Sequence, residues 1–301
     1  MTLEIKDLVV EHRSPGRPIV RAVAGASLTV SPGEVVGLVG ESGCGKSTLA
    51  RAVCGLNPVT EGSITFDGRQ VTPLGLRRRQ LTGIQMVFQD PYSSLNPRRR
   101  VGDQIADGLR TAGDTATKPA DLLERVGLPR DFAGRHPHEF SGGQRQRIAI
   151  ARALAARPSM LIGDEPISAL DASAQAQVAR LMRDLAVESG AGLLFISHDL
   201  SVVRLIADRI AVMYLGKIVE VGRTAEVWAD PQHPYTRALL GAIPQPDGLG
   251  VLPAELAGDV PDPADPPAGC RFNPRCPQVM DVCRDKEPDF GPVACWLHQP
   301  G

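Results

Sequence analysis

Gly40-Glu41-Ser42-Gly43-Cys44-Gly45-Lys46-Ser47-Thr48 is the stretch that decides the fold. It follows the apolar run of residues 35–39 and leads into residues 48–54, whose composition predicts a helix. A strand, a glycine-rich turn and a helix with the spacing G-x-x-x-x-G-K-[ST] are typical of a phosphate-binding loop. The glycines let main-chain N–H groups approach phosphate oxygens, and the helix N-terminus favours an anion. We expect a nucleotide phosphate to bind here; the alternative is a chance glycine-rich turn.

A second apolar run ends in two carboxylates, Met160-Leu161-Ile162-Gly163-Asp164-Glu165. In a fold with a phosphate loop, an acid at such a strand end holds Mg²⁺, so we assign Asp164 to the metal together with the Ser47 hydroxyl. Glu165 is placed to orient and deprotonate an attacking water. Lys46 is expected to reach the β- and γ-phosphates. The alternative, a pair of acids that caps the next helix, is weakened by the presence of the phosphate loop.

Composition describes an ordinary globular chain that is long enough for two domains. It has 301 residues, 43% hydrophobic and 22% charged, with a formal net charge of −1. A net charge this close to zero provides no overall positive potential that would attract nucleic acid. The first residues lack the pattern of a signal peptide, and no apolar run approaches the roughly 20 residues that span a bilayer. We therefore expect a soluble, cytoplasmic protein that works at a membrane only as a peripheral partner.

The pattern along the chain changes from antiparallel to alternating β/α. Residues 3–10 alternate as an edge strand, residues 26–30 form a further strand, and residues 61–68 read as a hairpin arm that ends in an Asp67-Gly68 turn. Short buried strands and helices then alternate from the phosphate loop onward. Residues 91–156 interrupt this core as a helical insert. The sequence thus predicts an α/β fold with an antiparallel β subdomain and a helical subdomain.

Three further polar features accompany the core strands. Gln89 ends the short strand of residues 85–88, and His198 ends the buried strand of residues 192–197, at the sheet edge where ligands of open α/β sheets bind. Ser141-Gly142-Gly143-Gln144 opens a clear helix and offers a second anion-binding corner. The alternatives are a structural histidine and a plain helix N-cap.

Together and in this order, these motifs resemble the nucleotide-binding subunit of an ATP-binding cassette (ABC) transporter. The resemblance covers residues 1–245 and implies a phosphate-loop ATPase core whose helical insert carries the signature Ser141-Gly142-Gly143-Gln144. It implies that Gln89 is the Q-loop and a Mg²⁺ contact, that Asp171 is the D-loop, and that His198 is the switch histidine. Lys46, Ser47, Gln89, Asp164, Glu165 and His198 would face the γ-phosphate. His12 aligns with the residue that stacks on adenine.

The resemblance also implies partners. Two such domains would form a head-to-tail dimer around two ATP molecules, with Ser141 and Gly143 of one subunit closing over the nucleotide of the other. The second ATPase subunit would be a copy or a paralogue. Two transmembrane permeases, on which the loop after Gln89 would dock, and an extracytoplasmic solute-binding protein complete the machinery, with this chain at the cytoplasmic face of the membrane.

Two segments resemble one branch of this family, the oligopeptide/dipeptide/nickel importers. They are residues 90–97 and residues 230–240. The resemblance implies ATP-driven import of oligopeptides or dipeptides. The alternatives are nickel or another small solute carried by the same machinery, a soluble ABC ATPase that acts on nucleic acid, and an iron–sulfur regulator with a vestigial ATPase.

Residues 246–301 are predicted to be a Pro-rich linker followed by an irregular domain with four cysteines. Cys270, Cys276, Cys283 and Cys295 follow the spacing C-x5-C-x6-C-x11-C. Clustered cysteines in a cytosolic chain favour metal ligation over disulfides. A [4Fe–4S] cluster, which importers resembling this one can carry, zinc, and reduced or disulfide-linked thiols stay open. Cys44 and Cys54 are interpreted as core residues, with Cys44 a candidate for oxidation.

Overall fold

The computed structural model describes residues 1–16, 18–72, 83–243 and 258–299. The strands in these ranges are β1 Leu3–His12, β2 Val20–Val30, β3 Val35–Val39, β4 Glu61–Phe66, β5 Arg69–Gln70, β6 Ile84–Val87, β7 Met160–Asp164, β8 Gly192–Ile196, β9 Arg209–Tyr214 and β10 Lys217–Arg223. The helices are α1 Lys46–Val53, α2 Pro91–Ser94, α3 Val101–Thr111, α4 Pro119–Arg125, α5 Gly142–Ala155, α6 Ala172–Glu188, α7 Leu200–Ile206, α8 Thr224–Ala229, α9 Pro234–Gly241 and α10 Val282–Asp285. Short 3-10 helices cover Arg130–Gly134, Pro137–Glu139, Asn273–Arg275 and Trp296–His298. None of the helices in this described part is long and apolar enough to cross a membrane.

The strands form two sheets, as the change of pattern along the sequence predicts. An antiparallel sheet has the order β2-β1-β4-β5. The second sheet has the order β10-β9-β3-β8-β7-β6, in which only the β9–β10 pair is antiparallel. The mixed α/β architecture is therefore confirmed.

The prediction that residues 3–10 form an edge strand is wrong. β1 lies inside its sheet, between β2 and β4. Its alternation reflects one buried face, which Leu3, Ile5 and Leu8 occupy, and a buried face occurs on central and edge strands alike. The predicted Asp67-Gly68 turn is confirmed: both residues have positive φ, 53° and 73°, as a two-residue hairpin between β4 and β5 requires.

The parallel strands position the candidate site. Every residue of β3, β7 and β8 is buried, as expected for strands covered on both faces. Because these strands are neighbours and run in the same direction, their carboxyl ends meet at one edge. Gly40, Glu165 and His198 follow these three strand ends and are brought to that edge.

The helices α2 to α5 lie between β6 and β7, in the stretch predicted as a helical insert. α3 packs closely on α5: a Cβ added at Gly108 would lie 2.7 Å from the Cβ of Ala155. Buried side chains of both helices, among them Ile105 and Ile148, join one apolar cluster with the sheet. The insert's limits at 91 and 156 stay a prediction.

The C-terminal segment, residues 258–299, packs on the β9–β10 end of the core. Phe272 is buried among the rings of Tyr214, Tyr235 and His233. Main-chain hydrogen bonds of 2.8 Å join β10 to this segment at Val219 and Val221. The predicted domain boundary at 245/246 and most of the Pro-rich linker lie outside the described residues, in 244–257.

His233 makes stability depend on pH. It is 1% exposed, and its Nδ1 accepts a hydrogen bond of 3.0 Å from the main-chain N–H of Tyr235. Burial, helped by the charge of His298, lowers the pKa of His233 to about 4. Between pH 6.5 and 4 the unfolded chain gains a proton at this residue that the folded chain does not. The free energy of unfolding should therefore fall by on the order of 3 kcal/mol as pH drops through this window.

His233→Asn should remove most of this loss, because asparagine keeps the capping acceptor at the start of α9 without titrating. Urea unfolding at several pH values measures the free energy of unfolding of the parent and the variant. His138→Asn, at an exposed histidine, is the matched control. An equal pH dependence in parent and His233→Asn would contradict the assignment.

Candidate functional site

The phosphate loop connects β3 to α1 and lies against two other strands. Gly40 and Gly45 have φ values of 152° and 108°, and a Cβ added at either would lie 2.1 Å from a backbone carbonyl, of Met213 and Ala22 respectively. These positions require glycine because the main chain of β9 and β2 approaches so closely. The motif is therefore a tightly packed loop with a defined conformation.

Lys46 is held over the loop by the loop's own backbone. The side chain is 4% exposed, and Nζ donates hydrogen bonds to the carbonyls of Gly40 and Glu41, at 2.8 and 2.9 Å. The Sγ of Cys44 lies 3.7 Å from the same nitrogen. Buried ammonium groups need such partners. The arrangement keeps a positive charge at the place where phosphate oxygens are expected.

Ser47 and Asp164 meet at the base of the loop. The Ser47 hydroxyl donates a hydrogen bond of 2.6 Å to Oδ1 of Asp164, which is 3% exposed. Burial raises the pKa of Asp164, while this hydrogen bond acts in the opposite direction. A hydroxyl and a carboxylate are hard oxygen ligands, which Mg²⁺ prefers. The pair fits a magnesium site.

Glu165 brings two other strand ends into the same site. Its Oε2 accepts a hydrogen bond of 3.4 Å from Nε2 of Gln89 and lies 3.3 Å from Nδ1 of His198. The residue has a φ of 46°, and its main-chain N–H donates to the carbonyl of Ile196 in β8. Left-handed backbone at a non-glycine residue is uncommon and concentrates at functional sites. The carboxylate is thus held by two side chains, which follow the ends of β6 and β8.

Lys46, Ser47, Gln89 and Glu165 line one open cavity of about 360 Å³, whereas Asp164 and His198 contact Ser47 and Glu165 without being among its lining residues. Its lining residues are His12, Val20, Arg21, Ala22, Ser42, Gly43, Gly45, Lys46, Ser47, Thr48, Gln89, Glu165, Leu215, Gly216 and Pro263. At one end, Nε2 of His12 lies 3.2 Å from Oγ1 of Thr48. The position of His12 on this wall is compatible with a contact to a base, which stays a prediction.

The signature residues and Asp171 do not line this cavity in the described part of the chain. Ser141 caps α5: its hydroxyl accepts from the N–H of Gln144, and the Gln144 side chain accepts from the N–H of Ser141. Asp171 caps α6 by accepting from the N–H of Ala174 at 2.9 Å. Within one chain these motifs are helix caps, and Gly142 and Gly143 leave the helix start open.

Several residues of the site escaped the sequence interpretation, and three of them lie in the C-terminal part of the chain, far from the loop in sequence. The Tyr235 hydroxyl accepts a hydrogen bond of 2.9 Å from the N–H of Glu41. Arg275 forms an ion pair with the Glu41 carboxylate, and Pro263 lines the cavity. Glu41, which the loop motif places among the phosphate-binding residues, therefore contacts the C-terminal part of the protein. No spacing pattern signals contacts between residues so distant in sequence.

Three of the tail cysteines, Cys270, Cys276 and Cys295, have raised pKa values. The pKa of Cys270 is raised to about 11, chiefly by burial and to a smaller extent by the thiols of Cys283, Cys295 and Cys276. The N–H of Cys270 donates to the carbonyl of Cys283 at 2.8 Å. Across residues 1–16, 18–72, 83–243 and 258–299, however, no group of three or more His, Cys, Asp or Glu side chains is arranged to hold a metal ion.

Cys44 and Cys54 are buried core residues, as predicted. Burial raises the pKa of Cys44, and it raises that of Cys54 to about 12. A thiol needs exposure and thiolate character to react. The prediction that Cys44 is a candidate for oxidation therefore has no support in its environment, since this side chain is 3% exposed.

Two family models match the sequence. Residues 23–168 match the ABC transporter model, and residues 219–283 match the C-terminal region of oligopeptide/dipeptide transporters. A Brucella abortus protein named as a peptide import ATP-binding protein is 47% identical over 98% of this chain and 92% of its own length. A Brucella ovis protein of the same description is 47% identical over 95% of this chain and 92% of its own length.

Solved structures agree with the sequence matches. A dimeric ATP-binding cassette in a post-hydrolysis state with ADP and phosphate has a TM-score of 0.64 and 27% identity, covering 74% of this chain and 98% of that one. The protein cbiO1 of Clostridium perfringens, part of an ABC transporter complex, has a TM-score of 0.62 and 28% identity, covering 76% and 90%. Because relatives at 47% identity span nearly its whole length, this chain belongs to the ABC transporter family of ATP-binding proteins.

Proposed function

We propose that this chain is the ATPase subunit of an importer and hydrolyses Mg-ATP at a dimer interface to drive oligopeptides or dipeptides through separate permeases. The observation that carries the proposal is that Lys46, Ser47 and Glu165 line one cavity, while Asp164 accepts the hydrogen bond of the Ser47 hydroxyl. The names of the Brucella relatives and the matched C-terminal region support the peptide substrate. Nickel or another small solute is the alternative cargo.

The chain's residues divide the work of phosphoryl transfer. The loop N–H groups and Lys46 bind the β- and γ-phosphates. Ser47 and Asp164, with Gln89, would hold Mg²⁺, which would supply positive charge to neutralise the phosphate oxygens. Glu165 accepts the proton of the attacking water. Nδ1 of His198 lies 3.3 Å from this carboxylate and orients it.

A second ATPase subunit completes the site. Ser141 and Gly142 are exposed at the start of α5 and do not reach this chain's own cavity in the described structure. Helix N-termini bind anions. The partner is a copy of this chain or a paralogue. Its signature segment therefore closes over the nucleotide bound by this chain, and Asp171 of this chain lies at the same interface.

The permeases dock on the segment that follows Gln89. Tyr92 is 62% exposed, and the guanidinium of Arg145 in α5 stacks over its ring at 3.7 Å. Aromatic residues and arginine are enriched at protein–protein interfaces. In this proposal the chain works at the cytoplasmic face of the membrane as a peripheral subunit, and an extracytoplasmic solute-binding protein delivers the cargo.

The deciding experiment isolates the complex from membranes through a tag on this chain. Recovery of two permeases, a second ATPase subunit and peptide-stimulated ATP hydrolysis in the presence of the solute-binding protein is the expected result. Recovery with nucleic acid and without permeases would refute transport. Stimulation by nickel and not by peptides would reassign the cargo.

For the tail we propose that Cys270, Cys276, Cys283 and Cys295 bind a [4Fe–4S] cluster with a structural role, with zinc as the alternative. Burial, and to a smaller extent neighbouring tail thiols, raises the pKa values of Cys270, Cys276 and Cys295, and Cys283 is among the contributing neighbours each time, which supports a shared site. Zinc would also take four cysteine thiolates. A [4Fe–4S] cluster would be held by four cysteine thiolates, which is the number of ligands that this tail supplies.

The full-length protein, purified without oxygen, should be brown and contain iron and acid-labile sulfide. Cys283→Ser should lose both and lower the melting temperature of the tail, while Cys54→Ser should retain them. Stoichiometric zinc in a colourless protein would reject the cluster, and neither metal would reject both assignments.

A further inference from the structure

An ion pair joins the C-terminal segment to the phosphate loop. Nη1 and Nη2 of Arg275 donate hydrogen bonds of 2.8 and 3.1 Å to the two carboxylate oxygens of Glu41. The side chain of Arg275 is 3% exposed and that of Glu41 is 24% exposed. The Tyr214 hydroxyl lies 3.5 Å from Nη1. Two-pronged pairs between arginine and carboxylate fix orientation as well as distance.

Glu41 is held at three places, and one of them connects it to Lys46. Its carboxylate binds Arg275, its N–H donates to the Tyr235 hydroxyl, and its carbonyl accepts the hydrogen bond of 2.9 Å from Nζ of Lys46. A displaced Glu41 would therefore move a carbonyl that positions the Lys46 ammonium. The tail also reaches the cavity directly, because Pro263 lines it.

We propose that Arg275 is a positioning residue for the phosphate loop, which fixes Glu41 and so holds the loop in the conformation that binds ATP. Without the guanidinium, the half-buried Glu41 carboxylate loses its ionic partner and turns toward solvent. The loop must then be ordered at the moment of binding, which weakens affinity. The inference rests on the ATP binding proposed above and adds a tail residue to that site.

Because of its position in the sequence, Arg275 couples the cysteine segment to the phosphate loop. Arg275 ends the short 3-10 helix Asn273–Arg275 and directly precedes Cys276. Its place is therefore set by the fold of the cysteine segment. Coupling between two sites is reciprocal, so ATP binding should in turn stabilise this segment.

The test compares the full-length parent with Arg275→Gln in titrations with Mg-ATP and in ATPase assays. We expect the Kd and the KM for ATP to rise about tenfold. kcat should change less than about threefold, because Glu165 and its partners are untouched. Arg275→Lys keeps the positive charge but loses the two-pronged contact. Its Kd and KM for ATP should lie between those of the parent and those of Arg275→Gln.

Glu287→Gln is the matched control, because Glu287 pairs with Lys217 of β10 at 2.8 Å and so also ties the tail to the core, away from the loop. It should bind ATP as the parent does. Glu41→Gln combined with Arg275→Gln should be no worse than the weaker-binding single variant. If Arg275→Gln does not fold, the Mg-ATP affinity of Glu41→Gln alone tests the inference.

Parent-like affinity in Arg275→Gln, or in Glu41→Gln, would overturn the inference, as would an equal loss in Glu287→Gln. A parent protein that binds no Mg-ATP would overturn the proposed ATPase instead, so the two failures are distinguishable.

Discussion

Glu165→Gln should reduce ATP hydrolysis by about 10² to 10⁴-fold while Mg-ATP binding is retained. The carboxylate is the only negative group that both lines the cavity and contacts Gln89 and His198, within the described residues. An amide has the same shape but cannot take a proton from water. The Lys46 and Ser47–Asp164 contacts do not involve this side chain, so phosphate and metal binding should persist.

The measurements are steady-state ATPase rates, ATP titrations, and size analysis with and without ATP. Because the nucleotide is bound and not consumed, the variant should accumulate as a closed dimer with ATP. Glu188→Gln, at an exposed pair with Arg125, is the control and should behave as the parent. Unchanged hydrolysis in Glu165→Gln would show that another group is the base.

The parts of the fold and site that follow from local sequence were predictable. Glycine spacing identifies the phosphate loop because its main chain needs unusual dihedral angles at Gly40 and Gly45. Continuous apolar runs identify β3, β7 and β8 as buried parallel strands. Parallel neighbours end at a common edge, so the sequence alone assigns Asp164, Glu165 and His198 to one site.

The parts that depend on tertiary contacts were not predictable. Alternation in β1 reveals a buried face but not the number of neighbouring strands, so a central strand was predicted as an edge strand. The pairing of Glu41 with Arg275 joins residues 234 positions apart. Ser141 and Asp171 act as helix caps within this chain, and their role across a dimer concerns a partner's surface.

Asp164→Asn should separate stability from activity. Asparagine keeps an oxygen that accepts the Ser47 hydrogen bond but loses the negative charge that attracts the metal. Mg-ATP affinity should fall to that measured for ATP with a chelator, and hydrolysis should fall at least about 100-fold. Because burial raises the pKa of Asp164, the folded chain holds an unfavourable charge above that pKa. At pH 7 the variant should be at least as stable as the parent.

ATP titrations give the affinity with Mg²⁺ and the affinity with a chelator, and thermal unfolding at pH 7 gives the melting temperature. Ser47→Ala removes a neutral ligand from the same pair and should weaken Mg²⁺ dependence less, since the carboxylate supplies most of the attraction for a divalent cation. Affinity in Asp164→Asn that still rises with Mg²⁺ as in the parent would place the metal elsewhere. A lower melting temperature would mean that the Asp164 charge stabilises the fold through its surroundings, contrary to the direction of its pKa shift.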